Sequence, residues 1–330
     1  MKVTFFFRKT LPVYHSIEEL FASIQAKLPA TIMWKNYFLK YIGNNIFKLL
    51  TNCFFAAFHQ NEINHITGDI HYISLFLKKK KTILTIHDID SIRRKGLKGK
   101  IIKLLWFTIP VRKAKIITVI SEFTKQQLIE YVKVDKNKIF VIPDCISPLI
   151  QKSPKNIDKQ NLVILQIGTT LNKNVSKVIS AIKSIKCKFI LVGFQATDYV
   201  EQLTENEIDY ELYSNLEYSQ IIELYKRADI VTFTSTYEGF GMPIIEANGI
   251  GRPVITSNIS PMKVVANDAA ILVNPENVNE IREAINQLIN NDLLRESLIQ
   301  NGYKNAQKYS AENVAKMYVE LYKKIVPLIK

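Results

Sequence analysis

Short apolar runs recur through the second half of the chain: LVILQIG (162–168), KFILVG (188–193), DIVTFTS (229–235), PVITSN (253–258) and AAILVNP (269–275). Each is rich in Val and Ile and brief, as expected of a strand buried on both faces of a parallel sheet. Between them lie segments with helical spacing of apolar residues, over 175–185, 218–227 and 278–289. Strand and helix in alternation predict a doubly wound α/β sheet. The first half repeats the habit less regularly, with KVTFFF (2–7), TILTIHD (82–88), KIITVIS (115–121) and KIFVIPD (138–144) set further apart.

The pattern breaks at SPLIQKSPKNIDKQ (147–160), where Pro148, Pro154 and polar residues intervene. With 330 residues, 47% of them hydrophobic, the chain exceeds what one core usually holds. Two α/β domains are therefore expected, 1–150 and 151–310. The last segment opens on Ser310 as an N-cap, and Val314, Met317, Leu321 and Ile325 predict a final helix over 311–330. Open sheets of this kind take ligands at the carboxyl ends of their strands.

Charge separates the halves. Residues 1–150 hold 24 Lys/Arg against 10 Asp/Glu, whereas 151–330 hold 20 of each, so the whole net charge of +14 lies in the first half. Lys78, Lys79, Lys80 and Lys81 form a run, and Arg93 and Arg94 begin a second cluster that leads into IIKLLWFTIPV with Trp106 and Phe107. Such a field attracts anionic partners, a membrane surface or an acceptor among them, although a solvated lysine-rich surface explains it equally well. No nucleic-acid module or aromatic stacking motif accompanies the charge, so nucleic acid is not expected as a partner. The three cysteines make no disulfide framework or metal quartet and fit a reducing, cytoplasmic setting. The apolar stretches at 46–58 and 101–111 are too short to span a bilayer, which leaves at most a peripheral position on its inner face.

The chemistry concentrates in STYEGFGMPIIEANGIGRPVITSN (235–258). A strand ends, a turn follows at Glu238-Gly239-Phe240-Gly241-Met242, and a helix opens near Pro243. Turn amides at a helix N-terminus suit an anion, and carboxylates at Glu238 and Glu246 suit sugar or ribose hydroxyls. A bare Gly-x-Gly would carry little weight. The full string, however, resembles the signature of the family-4 retaining glycosyltransferases of GT-B fold, with its two glutamates separated by seven residues. TILTIHD, TVISEFTKQQL, KIFVIPD, IGTTLNKN and TSNISPMKVVANDAAILVNP follow in the order of that family.

The resemblance implies two Rossmann-like domains facing a central cleft, an acceptor-side domain at 1–150 and a nucleotide-sugar domain at 151–310, with the final helix crossing back. It implies catalytic roles for Glu238 at the donor sugar, Lys173 at the donor diphosphate and His87 toward the sugar. Gly168, Thr169, Asn174, Gly239, Phe240, Gly241 and Met242 would line the donor, and Glu246 would take the ribose hydroxyls. Partners would be a nucleotide sugar and a glycan or lipid-linked acceptor, in cell-surface polysaccharide or glycolipid assembly. Neither a cofactor nor a metal is implied, and Asp88-Ile-Asp90 reads as a turn and cap. Four positions depart from the family pattern: Asn172 replaces an arginine, Val264 a glutamate, Asp144 an asparagine, and His15-Ser16 a Gly-Gly turn. Transfer with retained configuration is the expected reaction; a weakly active binding protein and a GT-B nucleotide-sugar epimerase are the alternatives.

Overall fold

The computed structural model describes residues 1–10, 16–42, 45–93 and 96–326, which form two compact units. The first comprises Met1–Cys145 with Ala311–Lys330, the second Ile146–Ser310. The boundary thus falls ahead of the expected residue 150. Residues 146–150 are tied into the second unit, because the Ile146 amide donates to the Tyr309 carbonyl (2.8 Å) and Ile146 and Ile150 pack against Gly249.

The first unit is a parallel sheet of β1 (Lys2–Phe7), β2 (Met33–Phe38), β3 (Ile63–Ile66), β4 (Thr82–Ile86), β5 (Ile116–Val119) and β6 (Ile139–Val141), in the order β2-β1-β3-β4-β5-β6. Alternation along β1 explains its two cores. Val3, Phe5 and Phe7 join Phe21, Val314, Tyr318 and Tyr322 on one face, while Phe6 joins Leu49, Cys53, Ile73 and Leu84 on the other. The final helix, Ala311–Lys323, is part of the first face. Met317, expected in its apolar stripe, is exposed; a 3.6-residue period places Tyr318 and Tyr322 inward with Val314 and Leu321.

The second unit holds β7 (Val163–Ile167), β8 (Lys188–Val192), β9 (Asp209–Tyr213), β10 (Ile230–Phe233), β11 (Val254–Ser257) and β12 (Ile271–Val273), ordered β12-β11-β10-β7-β8-β9 and parallel throughout. Three strands escaped the sequence reading, β2, β3 and β9. The strands β2 and β9 lie at sheet edges and carry charge (Lys35; Asp209 and Glu211), so neither shows an apolar run. Short β3 contains Asn64 and His65, buried with hydrogen-bond partners of their own.

Candidate active site

In the second sheet β7 and β10 are neighbours, but the chain leaves β7 toward β8 on one side and β10 toward β11 on the other. Their carboxyl ends therefore mark the topological switch point, where the two departing loops diverge and leave a crevice. Those loops, 168–174 and 234–241, carry nearly all the donor-site residues expected from the sequence.

Gly168 opens the first loop with φ +98°, and Lys173 folds its methylenes over it. A Cβ at Gly168 would fall 2.7 Å from Lys173 Cε, so only glycine leaves room. The ammonium comes to rest 2.6 Å from Glu238 Oε1 and 4.8 Å from the centre of the Phe233 ring. Asn172 completes the cluster, donating from Nδ2 to the Tyr237 carbonyl (2.8 Å) and to Glu238 Oε1 (3.3 Å). The Thr236 amide donates back to the Asn172 carbonyl (2.8 Å), which joins the two loops. Two residues that the resemblance assigns to different parts of the donor are thus paired with each other. Asn172, standing where an arginine is usual, adds a second donor to the same carboxylate.

Other expected donor contacts have structural duties. The Thr169 hydroxyl accepts from the Gln195 amide (3.1 Å), and its side chain occupies the space beside Gly193. Asn174, left-handed at φ 61°, donates to the Thr234 and Pro275 carbonyls (3.1 and 2.7 Å). The Phe240 ring is buried edge-on to Tyr309, so the part of Phe240 suited to a ligand is its backbone. Gly241, at φ +123°, caps helix Met242–Ile250 without a side chain, which leaves that helix end open to an anion. Gly239 lies in the turn just before it, and Met242 is its first, half-buried residue.

Glu246, four residues into the helix, is buried, and both of its oxygens accept tyrosine hydroxyls: Tyr218 on Oε1 and Tyr225 on Oε2, each at 2.8 Å. Burial first, and the carboxylate's charge second, push the Tyr225 phenol well above its ordinary value, so it remains a donor. Tyr218 and Tyr225 stand seven apart, two turns along helix Tyr218–Arg227, and so share one face.

In the first unit His87 follows β4. Its Nε2 donates to the Thr67 carbonyl (2.8 Å) and Nδ1 faces Asp144 Oδ1 at 3.5 Å. Burial opposes the charged ring, but the hydrogen bond and charge of Asp144, aided by the Thr67 carbonyl and Asp69, prevail and lift His87 to about 9. Asp144 is therefore the partner that makes this histidine a cation. Asp88 accepts the Asp90 amide (3.1 Å) as the cap of the turn Asp90–Arg93. Among the described residues no group of three or more His, Cys, Asp or Glu side chains is arranged to hold a metal ion.

Lys78, Lys79 and Lys80 are exposed and Lys81 half-buried, its Nζ 3.4 Å from the Asn61 carbonyl. Arg93 ends a short turn, and Arg94 lies outside the described residues, as does His15. Val264 is exposed on a short helix, Met262–Ala266. No described helix is long and apolar enough to cross a membrane. The Trp106 Nε1–H donates to the Asp69 carbonyl (2.7 Å), and its ring packs on Tyr72.

Sequence reasoning missed Tyr218 and Tyr225 altogether and read Asn172 and Asp144 only as departures. The seven-residue tyrosine spacing was visible; that it would meet Glu246 depends on how two helices pack.

Two adjoining stretches match models of known families, residues 56–148 "Glycosyltransferase Family 4" and residues 149–305 "Glycosyl transferases group 1". The O-antigen chain mannosyltransferase B of Escherichia coli is 29% identical over 64% of this chain, and the match spans 61% of that enzyme's length. An N,N'-diacetylbacillosaminyl-diphospho-undecaprenol alpha-1,3-N-acetylgalactosaminyltransferase of Campylobacter jejuni is 26% identical over 52% of this chain and 46% of its own. Anabaena HepE, solved in complex with UDP and glucose, superposes with a TM-score of 0.76 at 17% identity, covering 97% of this chain and 99% of that one. The architecture is the two-domain GT-B fold. On these matches and that fold, the chain belongs to the family-4, group 1 glycosyltransferases.

Proposed function

We propose that this protein transfers a hexosyl group from a nucleotide-diphosphate sugar to a glycan or a lipid-linked acceptor with retained anomeric configuration and without a metal ion. The observation that carries the reading is the cluster at the β7/β10 switch point. There Lys173, Asn172 and Glu238 meet beside a helix end whose cap is a glycine. A departing nucleoside diphosphate gathers negative charge, and a fixed ammonium with turn amides stabilises that charge as it develops. The bond from the anomeric carbon to the diphosphate breaks while a bond to the acceptor hydroxyl forms on the same face. The hydroxyl proton passes to the leaving phosphate oxygen. Glu238, held by Lys173 and Asn172, is then the carboxylate for sugar hydroxyls, and Glu246, fixed by two tyrosines, the one for the ribose. Support for a UDP-type donor comes from the complex of Anabaena HepE, and support for a surface-polysaccharide or lipid-linked acceptor from the named activities of the bacterial relatives.

Hydrolysis of a panel of nucleotide sugars, followed without any acceptor, tests the reading. Lys173→Ala should cut turnover by ~10²-fold, the scale of losing one transition-state charge partner, while Glu246→Ala mainly raises the donor KM. Activity should persist in excess chelator. Turnover that survives Lys173→Ala, or that vanishes with chelator and returns with a divalent cation, overturns it.

A further inference from the structure

A helix that is apolar all round belongs in a core or in lipid. The helix Ile46–Phe58, IFKLLTNCFFAAF, is of that kind, with only Lys48, Thr51 and Asn52 as strongly polar residues. Its inner stripe, Leu49, Asn52, Cys53 and Ala56, is buried in the first unit. The opposite stripe is uncovered: Phe47 is 77% exposed, Phe54 52% and Phe58 85%, with Ile46 and Leu50 beside them. Positions 47, 50, 54 and 58 are three and four apart, so they form one continuous ridge. The half-open ring of Phe76 extends it, packed 5.0 Å from Phe54. A contiguous aromatic ridge in water signals a missing partner.

The surroundings indicate which partner. The lysine run begins two residues after Phe76, and the Lys78 amide donates to Gln60, just beyond the helix (2.7 Å). Lys78, Lys79 and Lys80 are exposed there, Lys48 lies on the helix itself, and the whole surplus charge of the chain belongs to residues 1–150. A second copy meeting this face symmetrically would bring lysines onto lysines. An anionic bilayer satisfies both features, with phosphates for the lysines and the headgroup boundary for the phenylalanines.

We propose that the outward ridge of helix Ile46–Phe58, flanked by Lys78–Lys80, docks this protein on an anionic membrane surface. The inference deepens the lipid-linked acceptor reading given above and rests on it for its purpose. Its test uses no acceptor, so the two can fail separately.

Co-sedimentation with vesicles of equal phosphatidylglycerol and phosphatidylcholine, and with phosphatidylcholine alone, decides it. Binding should favour the anionic vesicles and weaken between 50 mM and 500 mM salt. The double substitution Phe47→Ser, Phe58→Ser should lower partitioning about tenfold or more, since both rings would leave lipid. Both rings are exposed, so the thermal midpoint and hydrolysis of the soluble donor should not change. No binding to anionic vesicles, equal binding to neutral ones, or partitioning untouched by the double substitution would overturn the proposal. So would a wild-type dimer that the same substitutions convert to monomer, because the ridge would then belong to a second copy.

Discussion

At the scale of single residues, the site depends on what glycine leaves out. Gly168 combines a positive φ with the absence of a Cβ, and the Lys173 stem fills that absence. Replacing Gly168 with alanine strains the backbone and drives a methyl into Cε, Cδ and Cγ of the lysine, so the ammonium must move from its place beside Glu238. Gly168→Ala should therefore lower kcat by about tenfold to a hundredfold, because a displacement of about 1 Å in a charge partner costs that much. Stability should fall by only about 1–2 kcal/mol, the cost of one strained residue. Steady-state hydrolysis of the donor and urea unfolding of the same variant separate the effects. An unchanged kcat would mean that the lysine's resting place is irrelevant to turnover. The chemistry of this cluster was partly legible in the sequence. Glu238 and Glu246 stand in a string whose spacing is distinctive, and Lys173 in IGTTLNKN, which precedes it in the expected order. That Asn172 and Lys173 would converge on one carboxylate was not legible, because it arises from the meeting of two loops 65 residues apart.

At the scale of elements, an apolar run announces the central strands, such as β1, β4, β7, β8 and β10, and also those edge strands, β6 and β12, that carry no charge. The edges β2 and β9 were illegible because solvent permits Lys35, Asp209 and Glu211 there. Joints between elements were equally hidden, and Arg252 shows why. The residue follows helix Met242–Ile250 and reads as one cation among many, yet its side chain is buried. It donates to the Ser153 and Gly251 carbonyls through Nη1 (2.7 and 3.2 Å) and to the Lys226 carbonyl through Nη2 (2.7 Å). One guanidinium thus fastens the segment entering the second unit to the ends of two helices. Arg252→Met keeps the bulk and leaves those carbonyls without their donor. It should destabilise the second unit by about 3 kcal/mol, the scale of losing hydrogen bonds to a buried charge. Hydrogen exchange of amides within 162–257 reports that unit directly. Protection unchanged from wild type would show that the carbonyls find other donors.

At the scale of the whole molecule, buried histidines pull stability in opposite directions with pH. His65, in the sheet interior between Tyr322 and Thr85, is pressed down to about 3 by burial and then by the charge of His87. His71 is lowered too, by burial first. His87 is raised to about 9, because Asp144 with the Thr67 carbonyl outweighs the burial that opposes charge. For His87 the folded chain holds a proton that the unfolded chain releases near 6.5. Its contribution is therefore complete below that value and is lost as pH climbs toward 9. For His65 the unfolded chain is the one that binds, so its penalty grows as pH falls from 6.5 toward 3. Stability of the first unit should peak near pH 6.5 and decline on both sides. The alkaline arm should amount to on the order of 3 kcal/mol, from the raised value at 1.36 kcal/mol per unit. Trp34 and Trp106, the two tryptophans of the chain, both lie in the first unit, so their fluorescence follows its unfolding in urea without interference from the second. Asp144→Asn removes the charge that holds the His87 proton while keeping the shape of the side chain. Its stability curve should flatten between pH 6.5 and 9 and keep its acid arm. If the substitution leaves the alkaline arm intact, that arm belongs to some other group, and the His87–Asp144 pair is not what couples this fold to protons.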